Sequence, residues 1–583
     1  MPKLSRWFPF LAWPRLTRDL WRGETVAALT VAVVMIPQSV AYAGLAGMPL
    51  VTGLYATFLP ALVAVLFSAS TRLSVGPSAL SSVLVGASLA GLADPGGAAW
   101  VALAVWLALL SGGIQLVVGS LRAAWVLNLV SSPVLAGFTL AASLLIMASQ
   151  LPALLGLQGS LGTVLQAPRF DFAAMAYGLV SLLLFVLAKR YAPKLPIMLI
   201  VLAAAAALSA ATGYSAHGAT VGALPQGLPM PYWPDWPGWE RFSALLAPAL
   251  VLALVSSLEM ASSAKIESQR DGKRWDASQD LVGQGMGKIA SALSGSFATS
   301  TSFSRSAITL YAGARTGWTT VIATGFVLLV LLFLTPALSH VPLAVLAAVV
   351  VAAVSSLFKP RILRELWRVD RVEALTAGAT FAVTVLSAPR IYWGVLTGVV
   401  LGLAHFLYLR LHPRIIEVGL HPDGSLRDRH LWKLPPLAPQ LYALRMDAEL
   451  DFASASALER VVVEHLAAHP DVRHVCLFAQ PINRVDATGL EVFAQLRKLL
   501  TERGITLHVS GIKLPVERVL ESAGALAPAA AEDVPHRHRG VAGLRPAQRL
   551  KRCRSIHAPY TATLKARRPA PSVHCSSRVR SAG

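Results

Sequence analysis

Apolar residues run through the first 410 positions in blocks separated by short polar stretches. Residues 101–118, 174–188, 197–211, 244–258, 321–338 and 341–357 form the clearest blocks. Their lengths lie near the roughly 17–25 residues that carry a helix across a bilayer. A membrane anchor needs one such block, so the repetition predicts an α-helical polytopic bundle. The pattern changes after about residue 410. Residues 411–530 read as a soluble α/β domain, with strands over 475–478 and 506–510 and a helix over 487–501. Residues 531–583 have no apolar periodicity and predict a disordered basic tail. The expected division is an N-terminal segment over 1–22, a membrane domain over 23–410, the α/β domain over 411–530 and the tail over 531–583.

Two places break the pattern. One reads Ser70-Thr71-Arg72-Leu73-Ser74-Val75-Gly76-Pro77-Ser78-Ala79, followed by an apolar run. The other reads Ser300-Thr301-Ser302-Phe303-Ser304-Arg305-Ser306-Ala307, followed by a run too short to span. Each is a hydroxyl-rich, helix-disfavouring stretch that feeds a helix start. Irregular segments paired between two halves point to an inverted repeat with a binding site near mid-membrane. Helix starts present free N–H groups and a positive dipole end, which favour an anion. Arg305 adds a charge that is costly beside an apolar helix and so calls for a function.

Composition agrees with a chain solvated mainly by lipid. Hydrophobic residues make up 55% and charged residues 14%, against about 25% charged in soluble domains, and the mean hydropathy is +0.58. The net charge of +21 is not read as a nucleic-acid footprint, because twelve Lys and Arg lie after Asp533 with no acid among them. The remaining basic residues sit mainly in loops. With the N-terminus cytoplasmic, cytoplasmic loops hold Arg72, Arg122, Lys189, Arg190, Lys194, Lys265, Arg270, Lys273, Arg274, Arg315, Lys359, Arg361, Arg364, Arg368 and Arg371. Opposite loops hold Arg169, Arg241 and Arg390. That asymmetry is the positive-inside pattern and requires an even number of crossings. It places the α/β domain in the cytoplasm and the Pro- and Trp-rich stretch 213–240 outside. The basic, amphipathic N-terminus lacks an uninterrupted apolar core and is read as a cytoplasmic interfacial segment. Cys476, Cys553 and Cys575 show no metal-site spacing.

The first apolar block reads Thr25-Val26-Ala27-Ala28-Leu29-Thr30-Val31-Ala32-Val33-Val34-Met35-Ile36-Pro37-Gln38-Ser39-Val40-Ala41-Tyr42-Ala43. With Leu45-Ala46-Gly47-Met48-Pro49, Gly53-Leu54-Tyr55-Ala56, Val75-Gly76-Pro77-Ser78, Ser132-Pro133-Val134-Leu135-Ala136-Gly137-Phe138 and Phe303-Ser304-Arg305-Ser306-Ala307, it resembles the SulP family. These are the sulfate permeases and related anion transporters. Asp486-Ala487-Thr488-Gly489-Leu490-Glu491-Val492-Phe493 resembles the marker of the STAS domain that follows in that family. The motifs cover about residues 20–525 in the family's order.

The resemblance implies fourteen membrane segments as two inverted repeats of seven, with core and gate domains, a cytoplasmic STAS domain and a homodimer in a bacterial-type inner membrane. It implies that Gln38, Tyr42, Ser78, Ala79, Ser304 and Arg305 bind the substrate. Gln38 and Tyr42 are four apart and share a helix face, and Pro37 disrupts the helix locally. Glu259 matches the family's acidic residue of the eighth span and is assigned to the coupling ion, a proton or sodium, with Arg305 as its partner. Ala298, Thr301, Thr309 and Lys288 depart from the family pattern, and Lys288 is expected to snorkel to an interface. In related bacterial domains a phosphorylated serine follows the STAS aspartate. Here that position is Ala487, so a folding, assembly or regulatory role is expected instead.

The leading reading is secondary active transport of a small inorganic anion, with sulfate ahead of bicarbonate and dicarboxylates. The competing class is an uncoupled channel or a sensor that signals through the STAS domain. A titratable acid such as Glu259 favours coupling, since a pore needs none. No enzyme, cofactor or metal is expected, because the chain has no HExxH, Walker loop, nucleophile elbow or paired-cysteine site. The remaining partner expected is membrane lipid, which the basic tail would touch.

Overall fold

The computed structural model describes residues 8–157, 170–191 and 196–526. The expected disordered tail over 531–583, Arg169 and Lys194 lie outside the described residues. The apolar blocks form helices α1 (Arg18–Leu45), α2 (Val51–Phe67), α3 (Ala79–Leu89), α4 (Ala98–Ser120), α5 (Ser132–Leu154), α6 (Phe172–Tyr191) and α7 (Ile197–Ala211). A second series follows: α8 (Trp239–Asp271), α9 (Ala277–Leu293), α10 (Phe303–Tyr311), α11 (Trp318–Leu338), α12 (Leu343–Val354), α13 (Arg371–Leu386) and α14 (Tyr392–Leu411). Among the described residues, α1, α4, α5, α6, α8, α11 and α14 are long and apolar enough to cross a membrane, and α2, α3, α7 and α12 are shorter apolar helices.

Packing sorts the helices into two groups. In one, α9 lies against α4 and α2, α8 against α4, and α11 against α1 and α2. In the other, α13 lies against α5, and α12 against α5 and α6. Helix α1 touches both groups through α7 and α12. The first group holds both hydroxyl-rich breaks. A close helix approach inside it depends on glycine: a β carbon on Gly112 of α4 would stand 2.8 Å from the β carbon of Lys288 and 3.0 Å from the Gly285 carbonyl of α9. The stretch 218–238 runs without helix, and Trp106, Trp236, Trp239 and Phe242 cluster beside it, as aromatics gather at membrane interfaces.

A second compact unit begins at Ala404. It contains β3 (Ile415–Leu420), β4 (Leu426–Asp428), β5 (Leu441–Met446), α15 (Ala455–Ala468), β6 (His474–Phe478), α16 (Ala487–Glu502), β7 (Thr506–Ser510) and α17 (Leu514–Ser522). The sheet order is β4-β3-β5-β6-β7, with β5, β6 and β7 parallel and β3 antiparallel to β5. Apolar residues of the strands, including Leu444 and Leu477, join Leu458, Phe493, Leu496 and Leu500 of the helices in one core. The two strands and the helix predicted from sequence fall on β6, β7 and α16.

Candidate functional site

The two breaks in the helical pattern meet. Val75–Gly76 forms strand β1 and Ser300–Thr301 forms strand β2, and the two pair antiparallel, Val75 opposite Thr301 and Gly76 opposite Ser300. An inverted relation between two halves produces this antiparallel pairing of equivalent segments. Helix α3 therefore starts just after β1, and α10 just after β2, from one shared point. Ser78 caps α3 by accepting from the Ser81 N–H at 3.2 Å, and Ser302 caps α10 by accepting from the Arg305 N–H at 3.5 Å. The remaining first-turn N–H groups have no helical carbonyl behind them.

The approach to β1 is pinned. Ser70 donates its N–H and hydroxyl to Asp280 at 2.8 and 2.6 Å. Arg72 donates to Glu267 at 3.1 Å and to Asp271 at 2.6 Å. Arg72 counts as a loop charge in the sequence, yet it is buried in these ion pairs at the end of α8.

Arg305 is fully buried. Its Nε donates to the Ser74 hydroxyl at 3.2 Å and its Nη1 to the Pro77 carbonyl at 2.8 Å. Its Nη2 is buried with no hydrogen-bond partner among the described residues. The guanidinium of one break thus rests on the backbone of the other and keeps one donor free. Glu259 of α8 is partly buried and accepts from Ser300 at 2.5 Å, Ser78 at 3.0 Å and Ser81 at 3.5 Å. The expected direct pair between Arg305 and Glu259 is corrected: no nitrogen–oxygen contact within 4.0 Å joins them. Hydroxyls hold the carboxylate, and the two charges act on each other through space.

The other residues singled out by sequence fall unevenly around this point. Tyr42 is buried on α1. Gln38, one turn earlier, is buried with its Oε1 unpartnered. Ala79 is buried at the start of α3. Ser304 is exposed and approaches Ser302 at 3.4 Å, with no side-chain bond to Arg305 or Glu259. Lys288 does not snorkel: it is fully buried, and its Nζ donates to the Ser256 hydroxyl of α8 at 2.6 Å. Helix α9 is enclosed by α4, α2 and α8 at this level, so the amine has no route to an interface. Sequence reasoning did not single out Ser74, Ser81 and Ser300 as partners of Arg305 and Glu259. The signal lay in the matched hydroxyl-rich stretches, which β1 and β2 bring into register.

Comparison with known proteins bears on the whole chain. The model of the sulfate permease family matches residues 21–380, and that of the STAS domain matches residues 436–528. A probable sulfate transporter of Mycobacterium tuberculosis is 32% identical over 534 residues, covering 89% of this chain and 94% of its own length. Probable sulfate transporter 4.2 of Arabidopsis thaliana is 29% identical, covering 89% of this chain and 80% of its own. Among solved structures, the murine Solute Carrier 26 family member A9 anion transporter in the inward-facing state superposes with a TM-score of 0.80 at 20% identity, over 90% of this chain and 91% of that one. The transmembrane domain of the cyanobacterial bicarbonate transporter BicA superposes with a TM-score of 0.57 at 21% identity, over 66% of this chain and 98% of that one. At these identities the structural likeness establishes the fold.

Proposed function

The chain belongs to the sulfate permease family, and from that premise we propose that it carries sulfate across a membrane by alternating access, coupled to a proton or sodium ion. The observation that carries this reading is the free Nη2 donor of Arg305, buried between two helix starts. Burying a charged donor without an acceptor costs free energy, and an anion at this point supplies the acceptor. Sulfate suits the surroundings, since its oxygens can take the guanidinium, helix N–H groups and hydroxyls together. Gln38, Tyr42, Ser78, Ala79, Ser304 and Arg305 form the substrate site in this reading, and Glu259 serves the coupling ion. A homodimer with the STAS domain in the cytoplasm completes it. Supporting the substrate are the sulfate transporters among its relatives.

The test is uptake into proteoliposomes with a panel of labelled anions, with and without a pH or sodium gradient. Sulfate uptake that exceeds bicarbonate and dicarboxylate uptake and accumulates against its gradient is expected. Accumulation of bicarbonate in preference to sulfate replaces the substrate assignment, and flux that never exceeds equilibrium favours an uncoupled channel.

A further inference from the structure

A helix of nine residues, Arg361–Val369, joins α12 to α13 and takes no part in the anion site. Both neighbours pack along α5, a helix long and apolar enough to cross a membrane. The link between them therefore lies at one end of the bundle, at a membrane face. At about 3.6 residues per turn, Arg361, Arg364 and Arg368 share one side of this helix, and Ile362, Leu363, Leu366, Trp367 and Val369 take the other. Ile362, Leu363 and Leu366 are half-buried, and the helix packs on α13 and α5. Trp367 is 52% exposed and Val369 83%. The three arginines are exposed, as are Lys359 and Arg371 at the two ends.

Among the described residues none of these five cations has an ion pair or a side-chain hydrogen bond. Nearby acids do not balance them. Asp370 caps α13, accepting from the Val372 N–H at 2.7 Å and the Glu373 N–H at 3.1 Å, and Glu365 pairs with no cation. Arginines three and four apart repel one another along a helix. Arg361 also stands at the positive end of the helix dipole, with no acid in the first turn. Helix stability works against this arrangement, and an anion from outside the chain offsets the repulsion.

We infer that Arg361–Val369 and its flanking cations form a docking surface for the phosphate groups of anionic membrane lipids. A basic amphipathic helix with tryptophan on its apolar side settles in the plane of the interface. The long basic side chains then reach the headgroups, and guanidinium N–H pairs match phosphate oxygens. The orientation expected from loop charge puts this surface in the cytoplasmic leaflet, whose surface is negative. Since the helix packs on α13 and α5, lipid bound here holds the second helix group, not the group that carries Arg305. The surface therefore takes lipid whatever anion the site carries.

The test is hydrogen exchange over 361–369, read by mass spectrometry on the purified full chain. The chain is held in nanodiscs of phosphatidylcholine, alone or mixed with phosphatidylglycerol. Exchange in the parent is expected to slow several-fold with phosphatidylglycerol, and high salt, which screens exposed charges, is expected to reverse the slowing. The triple variant Arg361→Gln, Arg364→Gln, Arg368→Gln is expected to exchange equally in both discs. Arg361→Lys, Arg364→Lys and Arg368→Lys together are expected to keep most of the slowing. Equal exchange of the parent in both discs overturns the proposal, and so does slowing that survives in the glutamine variant. Inorganic phosphate that slows the helix as much in phosphatidylcholine alone makes this a site for a soluble anion and overturns the lipid assignment. Should the triple glutamine variant fail to fold, Arg364→Gln and Arg368→Gln are read singly, and undiminished slowing in both overturns the proposal too. None of these readouts needs sulfate, so failure of the parent to bind sulfate counts against the substrate assignment alone.

Discussion

Glu259 shows how a carboxylate persists among apolar helices. Three serine hydroxyls from two separate breaks converge on it, and a hydrogen bond to a charged group contributes about 1.5–3 kcal/mol. The shortest comes from Ser300, so Ser300→Ala is expected to lower the unfolding temperature of the purified chain by several degrees. Ser300→Thr, which keeps the hydroxyl, is expected to restore most of the loss. Glu259→Gln is expected to abolish sulfate accumulation driven by an ion gradient while exchange between equal sulfate pools continues; loss of both contradicts a coupling role. Arg305 and Glu259 were legible in the sequence because each stands in a recognisable local motif. Their partners were not, because Ser74 and Ser300 reach them through contacts 231 and 41 residues apart. Lys288 misled for a related reason. An apolar helix with one lysine looks the same whether the amine reaches an interface or ends on a serine of a neighbouring helix.

Close packing of α4 on α9 sets the position of Lys288, and Gly112 permits it. Gly112→Ala places a methyl group 2.8 Å from the Lys288 β carbon. Overpacking of this kind costs about 1–3 kcal/mol, measured as a lowered unfolding temperature. In the second unit the cap of α16 makes a separate prediction. Asp486 accepts from the Gly489 N–H at 2.8 Å and the Phe452 N–H at 3.0 Å. These backbone donors, Gly489 first, hold its carboxyl below the ordinary aspartate range. A depressed carboxyl stabilises the fold above its unfolded value, about pH 3.9, and that contribution fades as pH falls through the lower folded value. Asp486→Ala is expected to cost about 1 kcal/mol, which speeds amide exchange at Gly489 and Phe452 about fivefold near neutral pH, and to cost less under acid. Equal exchange in parent and variant contradicts the cap. Helix α16 and strands β6 and β7 were legible because period and capping residue agree there. Strands β3, β4 and β5 were not singled out: β4 has three residues, and β3 owes its place to pairing with β5 rather than to local pattern.

At the scale of the molecule, the legible part was the fold class: repeated apolar blocks, two hydroxyl-rich breaks and a soluble α/β remainder. What sequence could not supply was the meeting of the breaks, since antiparallel pairing of β1 with β2 joins residues more than 200 positions apart. Loop charge is expected to orient the whole with its N-terminus in the cytoplasm. A cysteine placed in 213–240 should then react with an impermeant reagent on intact cells, and one beside Asp271 should not; the reverse labelling overturns that orientation. This anion transporter's central feature is one buried guanidinium that joins two helix starts and keeps a donor free. Calorimetric titration of sulfate into the purified full chain, beside Arg305→Gln, tests it most directly. Loss of a charged hydrogen bond predicts affinity weakened by about tenfold to a hundredfold, with the variant still folded by its unfolding temperature. Parent-like affinity in Arg305→Gln, together with parent-like affinity in Gln38→Ala and Tyr42→Phe, would place the anion elsewhere and contradict the account.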